Sequence, residues 1–370
     1  MEKKDIFCNF AGGNIVVEKI SANTVYMHQD LRDTDGDWFY WYFAVNGTAD
    51  EEITFVFTRS RAMGRLGPAV SLDSGITWRW LGTQTVTDNS FSYCFRKTGE
   101  VRFCFSMPYV QKDLERFLDR SPAAKNLRRE VLCLSREKRK VERIHTCRND
   151  SPAAKVLVTA RHHCCEMMAG YVMEGMMESA AGTKDRGAES FENIEFLFIP
   201  FVDKDGAENG DQGKNRIPRD HNRDYEGKSL YCETREIREY IPRWSEDKML
   251  LTIDLHCPHI NGKRIHMVGS PDPGIWKEQC RFAEVLREVQ CGPLKYDPAD
   301  NVPYGTSWNT DQNYTGGTGC STWAGQLRGV KLASSFEIPY AEAKGGPVTQ
   351  ETARLFGHDL VRAIEAYIFG

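Results

Sequence analysis

The sequence predicts an α/β fold, with a mixed, mostly parallel sheet carrying helices on both faces and an antiparallel β-sandwich ahead of it. Three observations lead there. Residues 1–107 hold short runs rich in β-branched and aromatic residues, NIVVEKI, WFYWYFAV, EITFVFT, SFSYCFR and VRFCFSM, divided by Gly, Asn and Asp turn signals. Past residue 108 the runs KVLVTA, IEFLFIPFV and KMLLTIDL are continuously apolar, as strands covered on both faces are. Helical stretches near 164–178, 274–290 and 349–369 alternate with those runs, the pattern of parallel strands joined by crossover helices.

Each element has its own signal. In the sandwich, the apolar residues Ile53, Phe55 and Phe57 alternate along the run, which suits a strand with one face on a core. The character changes near 107, where Leu114, Phe117 and Leu118 share one helical face. Two domains are therefore expected, a sandwich over 1–107 and a larger α/β unit over 108–370. The basic run from Arg136 to Lys140 reads as a charged hairpin turn. Residues 203–224 are polar and Gly-rich and directly follow a strand, so they are expected to form a long functional loop.

Composition excludes several classes. Hydrophobic residues make up 41% and charged residues 27%, the balance of a folded globular chain. The net charge of −4 provides no basic field for nucleic acid. MEKKDIFCNF has no apolar core like that of a secretion signal, and no window approaches the roughly 18 apolar residues of a membrane span. A cytoplasmic location without a membrane partner is expected. The 12 cysteines are scattered, with Cys164 and Cys165 adjacent, and are expected to be reduced thiols.

The chemistry gathers at strand ends, where folds of this class place their sites. KVLVTA runs into ARHHCCE, in which His163 and Glu166 stand three apart at the start of an expected helix, a spacing that lets both reach one metal ion. KMLLTIDL ends in His256, a third candidate ligand. A rival set, His162 with Cys164 and Cys165, fits less well, because adjacent residues on one element point apart. In RDHNRDY, Asn222 and Arg223 form a fork suited to a carboxylate, and Asp220 is a candidate acceptor for a ligand imidazole. VKLASSFEIPYA carries Glu337 inside an apolar strand, where a carboxylate is costly unless it has a partner or a role such as general base.

In order and spacing, ARHHCCE, DKDG, RDHNR, DLH and FEIPYA resemble the zinc carboxypeptidases of the carboxypeptidase A superfamily, and look most like the cytosolic carboxypeptidase branch. That branch also carries a β-sandwich before its catalytic domain. The resemblance implies one Zn2+ per chain held by His163, Glu166 and His256. It makes Asn222 and Arg223 the anchor for a substrate's C-terminal carboxylate and Glu337 the general base and acid. In NYTGGTGCSTW it implies that Tyr314, with Tyr304 nearby, closes over the bound residue. The family arginine that polarises the scissile carbonyl falls at Gly213, which leaves Lys214, Arg216 and Arg219 as candidates for that cation. The implied reaction is hydrolysis of the C-terminal bond of a peptide or protein, with a preference for acidic C-terminal residues. Two alternatives remain: a zinc amidohydrolase acting on small amino-acid conjugates, and an inactive module that binds C-terminal carboxylates.

Overall fold

The computed structural model describes residues 2, 5–59, 62–146, 151–182 and 193–370. Residues 6–104 form two facing sheets. One has five strands in the order Ile6–Phe7, Tyr42–Gly47, Gly99–Cys104, Ala69–Ser71 and Arg79–Trp80; the other has four, Val16–Ser21, Thr24–His28, Glu52–Phe57 and Ser90–Cys94. Ile53, Phe55 and Phe57 face inward as expected. Trp41 against Phe57, Phe55 against Phe91 and Phe91 against Phe103 bring ring centroids to 4.8, 4.9 and 5.2 Å. One pair departs from the antiparallel expectation. Thr24–His28 and Glu52–Phe57 run parallel, because the chain passes through Tyr42–Gly47 of the opposite sheet between them.

The larger sheet has seven strands, in the order Leu127–Leu134, Lys140–Thr146, Ile194–Ile199, Ala154–Ala160, Met249–His256, Val330–Glu337 and His266–Val268. Its four central neighbours, from Ile194–Ile199 to Val330–Glu337, are parallel, and antiparallel strands flank them. The first two strands form a hairpin whose turn contains the basic run, with Arg139 paired to Asp205 at 2.8 Å.

Helices cover both faces, and the strand side chains divide between them. Val156, Val158, Phe196, Phe198 and Ile253 belong to one buried cluster with residues of helices Met168–Ala181 and Gln350–Phe369. Leu157, Leu197 and Ile199 point the other way, to Ile237, Ile241 and Trp244 of helix Cys232–Ser245. The first cluster runs without a break into the sandwich core. Among the described residues no helix is long and apolar enough to cross a membrane.

The topology brings the carboxyl ends of three parallel strands side by side. Ala160 pairs with Leu255 and His256 pairs with Glu337. Neighbouring strands lie about 4.8 Å apart, so groups at these ends share one site.

Candidate active site

Strand Ala154–Ala160 stops at Arg161, which takes a left-handed φ of 62°. Its buried guanidinium turns back and donates through Nε and Nη2 to the Cys164 carbonyl, the former at 2.8 Å, and through Nη1 to the Tyr109 carbonyl at 2.6 Å. These bonds fix a tight turn from His162 to Met167, inside which the Glu166 N–H donates to the His163 carbonyl at 3.1 Å. The helix therefore starts at Met168 rather than near 164, and His163 and Glu166 sit on the turn before it.

On that turn the Glu166 carboxylate is fully buried between two imidazoles. His163 Nδ1 lies 3.0 Å from Oε1 and His256 Nδ1 lies 2.7 Å from Oε2. The distal nitrogens face carboxylates as well: His256 Nε2 is 2.7 Å from Asp254 Oδ2, and His163 Nε2 is 3.7 Å from Asp220 Oδ1. An imidazole that donates through Nε2 keeps the Nδ1 lone pair for a metal, so the arrangement selects the tautomer a ligand needs. Zinc bonds of about 2.1 Å in a tetrahedron place ligand atoms about 3.4 Å apart. One ligand atom from each of His163, Glu166 and His256 lies within 4.8 Å of the other two, and the set fits a metal ion.

A second trio, His162, Asp254 and His256, also clusters within metal-binding reach. Its donors are already spent. His162 uses Nδ1 toward Asp254 at 2.8 Å and Nε2 toward the Tyr225 hydroxyl at 2.6 Å, while Asp254 also accepts from Thr159. Burial opposes ionisation of Asp254, but His162 and His256 outweigh it and hold the carboxyl below its usual range. Asp254, backed by His162, therefore sits behind His256 and orients its ring.

His163 and His256 line a cavity of about 290 Å³, together with Lys214, Asp220, Asn222, Arg223, Tyr314 and Glu337. Glu337 Oε2 is buried and has no hydrogen-bond partner. Asn222 accepts the Cys320 N–H through Oδ1 at 3.0 Å, and its Nδ2 lies 3.4 Å from His256 Nε2. Arg223 donates to the carbonyls of Asn222 and Asn313 at 2.9 and 3.0 Å, and among the described residues no carboxylate lies within 4.0 Å of it. Gly317, at φ 131°, lets the glycine-rich stretch lie against this segment, since a Cβ there would come within 2.2 Å of the Arg223 carbonyl. Tyr314 lies beneath the Arg223 guanidinium, 5.3 Å from Cζ to ring centre, and its hydroxyl donates to Asn309 at 2.7 Å. Tyr304 bonds Asp311 outside the cavity.

The three candidate cations separate. Lys214 Nζ reaches into the cavity, 2.6 Å from Glu166 Oε1. Burial lowers its pKa, yet Glu166 beside it more than compensates and raises it. Arg216 is not brought to this cavity; it is bound to Asp33, Asp203 and Asp211 at 3.0, 2.6 and 3.1 Å. Arg219 is held by Asp224 at 2.7 Å. Gly213 has φ 74° and packs on Cys164, where a Cβ would fall 2.4 Å from the backbone nitrogen, so no arginine fits there. The stretch expected as loop contains one short helix, Lys204–Asn209, and a single 3-10 turn, His221–Arg223, that presents the fork.

Sequence reasoning missed Arg161, Asp254 and Trp38. Asp254, two residues before His256 on a strand and so on the same face, was recoverable from the spacing. Trp38, the N-terminal residue that reaches the cavity, carried no sequence signal.

No family model and no curated protein matches the sequence. Solved structures do match its fold. A metallo-carboxypeptidase from Pseudomonas aeruginosa, in complex with (2-guanidinoethylmercapto)succinic acid, superposes with a TM-score of 0.78 at 20% identity over 98% of each chain. One from Burkholderia cenocepacia gives 0.78 at 19%, again over 98% of each chain. A carboxypeptidase A from Helicoverpa armigera gives 0.51 at 16%, over 72% of this chain and 74% of that one. The chain thus has the metallo-carboxypeptidase fold along nearly its whole length.

Proposed function

We propose that the chain is a zinc-dependent metallocarboxypeptidase working in this cavity. The observation that carries the proposal is a pair of opposite charges there, neither of which makes a direct ion pair among the described residues. Glu337 Oε2 is buried without a partner, and Arg223 faces the same space with only carbonyl partners. Such groups are costly unless a ligand completes them. A peptide with a free C-terminus supplies both needs, a carboxylate for Arg223 and a water and leaving amine for Glu337.

His163, Glu166 and His256 would hold the ion, and their N, N, O donor set suits zinc. When bound, the metal would supply Lewis acidity toward water and the scissile carbonyl. Arg223 and Asn222 grip the terminal carboxylate and so select the last bond. Lys214, with an N–H donor in the cavity, stabilises charge growing on the carbonyl oxygen. Glu337 takes the proton of the attacking water and hands it to the departing amine.

The sequence resemblance to the cytosolic branch suggests acidic C-terminal residues. Apart from Arg223, the only Lys or Arg among the described lining residues is Lys214, already against Glu166; Ser321, Thr322, Ser335 and Val268 are neutral. An acidic preference thus depends on Lys214, and a panel of C-terminal residues tests it. An amidohydrolase acting on small conjugates would use the same groups; acylamino acids belong in that panel.

The metal assignment is tested by elemental analysis of the purified chain. About one zinc per chain is expected, lost in His163→Ala and in His256→Ala. A metal that survives His163→Ala and leaves with His162→Ala would assign it to the second trio.

A further inference from the structure

We infer that residues 33–38 of the N-terminal sandwich belong to the catalytic apparatus, as the element that positions Lys214; this rests on the peptidase reading of the cavity. The segment from Gln212 to Arg216 is bound residue by residue to that loop. Asp33 accepts the N–H groups of Gln212 and Gly213 at 3.0 and 2.8 Å, and the Arg216 guanidinium at 3.0 Å. Thr34 Oγ1 donates to the Lys214 carbonyl at 2.6 Å, and the Asp35 N–H donates to the Asn215 carbonyl at 3.2 Å. Trp38 then enters the cavity itself, its ring 5.0 Å from Lys214 Nζ.

The chemistry explains why a ring stands there. A lysine ammonium is a point charge on a flexible stem, so its placement must come from its surroundings. Glu166 Oε1, at 2.6 Å, takes one of its three N–H donors. An aromatic face attracts the cation without accepting its N–H bonds through a localised oxygen, which leaves those donors for a substrate carbonyl. The 33–35 hydrogen bonds fix the lysine backbone, and Trp38 fixes the direction of the side chain. Trp38, Thr34 and Asp33 are thus positioning residues acting through Lys214. This gives the sandwich a role in the reaction, which the sequence left without one.

The test is a double-mutant cycle on the full chain, using any peptide the parent cleaves. A cation–π contact is worth about 0.5–2 kcal/mol, so Trp38→Leu should lower kcat about 2- to 30-fold. KM and metal content should stay within about twofold, because Lys214 acts on charge that grows only in the transition state. Trp38→Phe should restore most of the rate. In a Lys214→Ala background Trp38→Leu should cost nothing further. Thr34→Val, which leaves the cavity lining intact, supplies the same comparison if Trp38→Leu does not fold. Equal losses with and without Lys214, a loss confined to KM, or no loss in either variant would overturn the inference. A parent that cleaves neither peptides nor acylamino acids would instead refute the activity proposed for the cavity.

Discussion

Replacing Glu337 by Gln keeps the side-chain shape and removes its basicity. His256 and Glu337 are paired residues on adjacent parallel strands, which puts their backbones one strand spacing, about 4.8 Å, apart. Glu337 Oε2 is buried and makes no hydrogen bond among the described residues, which leaves that oxygen free to take up and release a proton. General acid-base catalysis contributes about 10²–10⁴-fold, equivalent to about 3–5 kcal/mol of barrier, and this group acts in both halves of the reaction. Glu337→Gln should therefore lower kcat by at least about 100-fold, with KM and metal content nearly unchanged. Stability should move the other way or not at all. A carboxylate oxygen buried without a partner costs free energy, and the amide relieves part of that cost, so the melting temperature should hold or rise. Steady-state kinetics, elemental analysis and a thermal melt on the same preparation give all three quantities. A variant with parental kcat would show that another residue moves the protons, and one that loses its metal would make Glu337 a ligand.

Two further predictions concern the frame around the site. Arg161→Met deprives the buried carbonyls of Cys164 and Tyr109 of their donors, at about 1–3 kcal/mol each, and should destabilise the fold by about 2–5 kcal/mol in denaturant titration; a loss under about 1 kcal/mol would show that the turn holds itself. Burial, with Asp203 and Asp205 nearby, raises the Glu233 carboxyl to about 7, against 4.5 when unfolded. The folded state thus retains a proton the unfolded state releases, and the stability this group contributes is complete below about 4.5 and lost as pH rises through 7. Glu233→Gln avoids that loss. Relative to the parent it should gain up to about 3 kcal/mol between pH 5 and pH 8, and a difference that does not vary with pH would contradict the assignment.

Much of this architecture was legible because strand patterns are local. Continuous apolar runs marked Ala154–Ala160, Ile194–Ile199 and Met249–His256, and His163, Glu166, His256 and Glu337 all lie at or just beyond the ends of strands read that way. What was illegible depends on partners far along the chain. Nothing near Lys214, Arg216 or Arg219 shows which one enters the cavity; Asp33 and Asp203 claim Arg216, Asp224 claims Arg219, and only folding brings Asp33 and Asp203 together. The left-handed Arg161 shortened the expected helix through bonds its side chain makes with the backbone, which periodicity does not report. Helix Cys232–Ser245 escaped notice because charged residues and Pro242 interrupt it, although Ile237, Ile241 and Trp244 keep its buried stripe. The parallel pair in the sandwich follows from a strand exchange between sheets that alternation alone does not encode.

The central claim is that the cavity recognises and removes a chain end, and peptide amidation tests it most directly. Arg223 is the guanidinium that lines it, and with no carboxylate of the described residues within 4.0 Å it is left to pair with a carboxylate on the ligand. Loss of such a buried charge-assisted pair costs about 2–5 kcal/mol. With metal bound, the chain should release the C-terminal residue from free-acid peptides at least about 30-fold faster, in kcat/KM, than from the same peptides amidated. Arg223→Ala should erase most of that difference. Equal turnover of acid and amide by the parent chain would contradict the account.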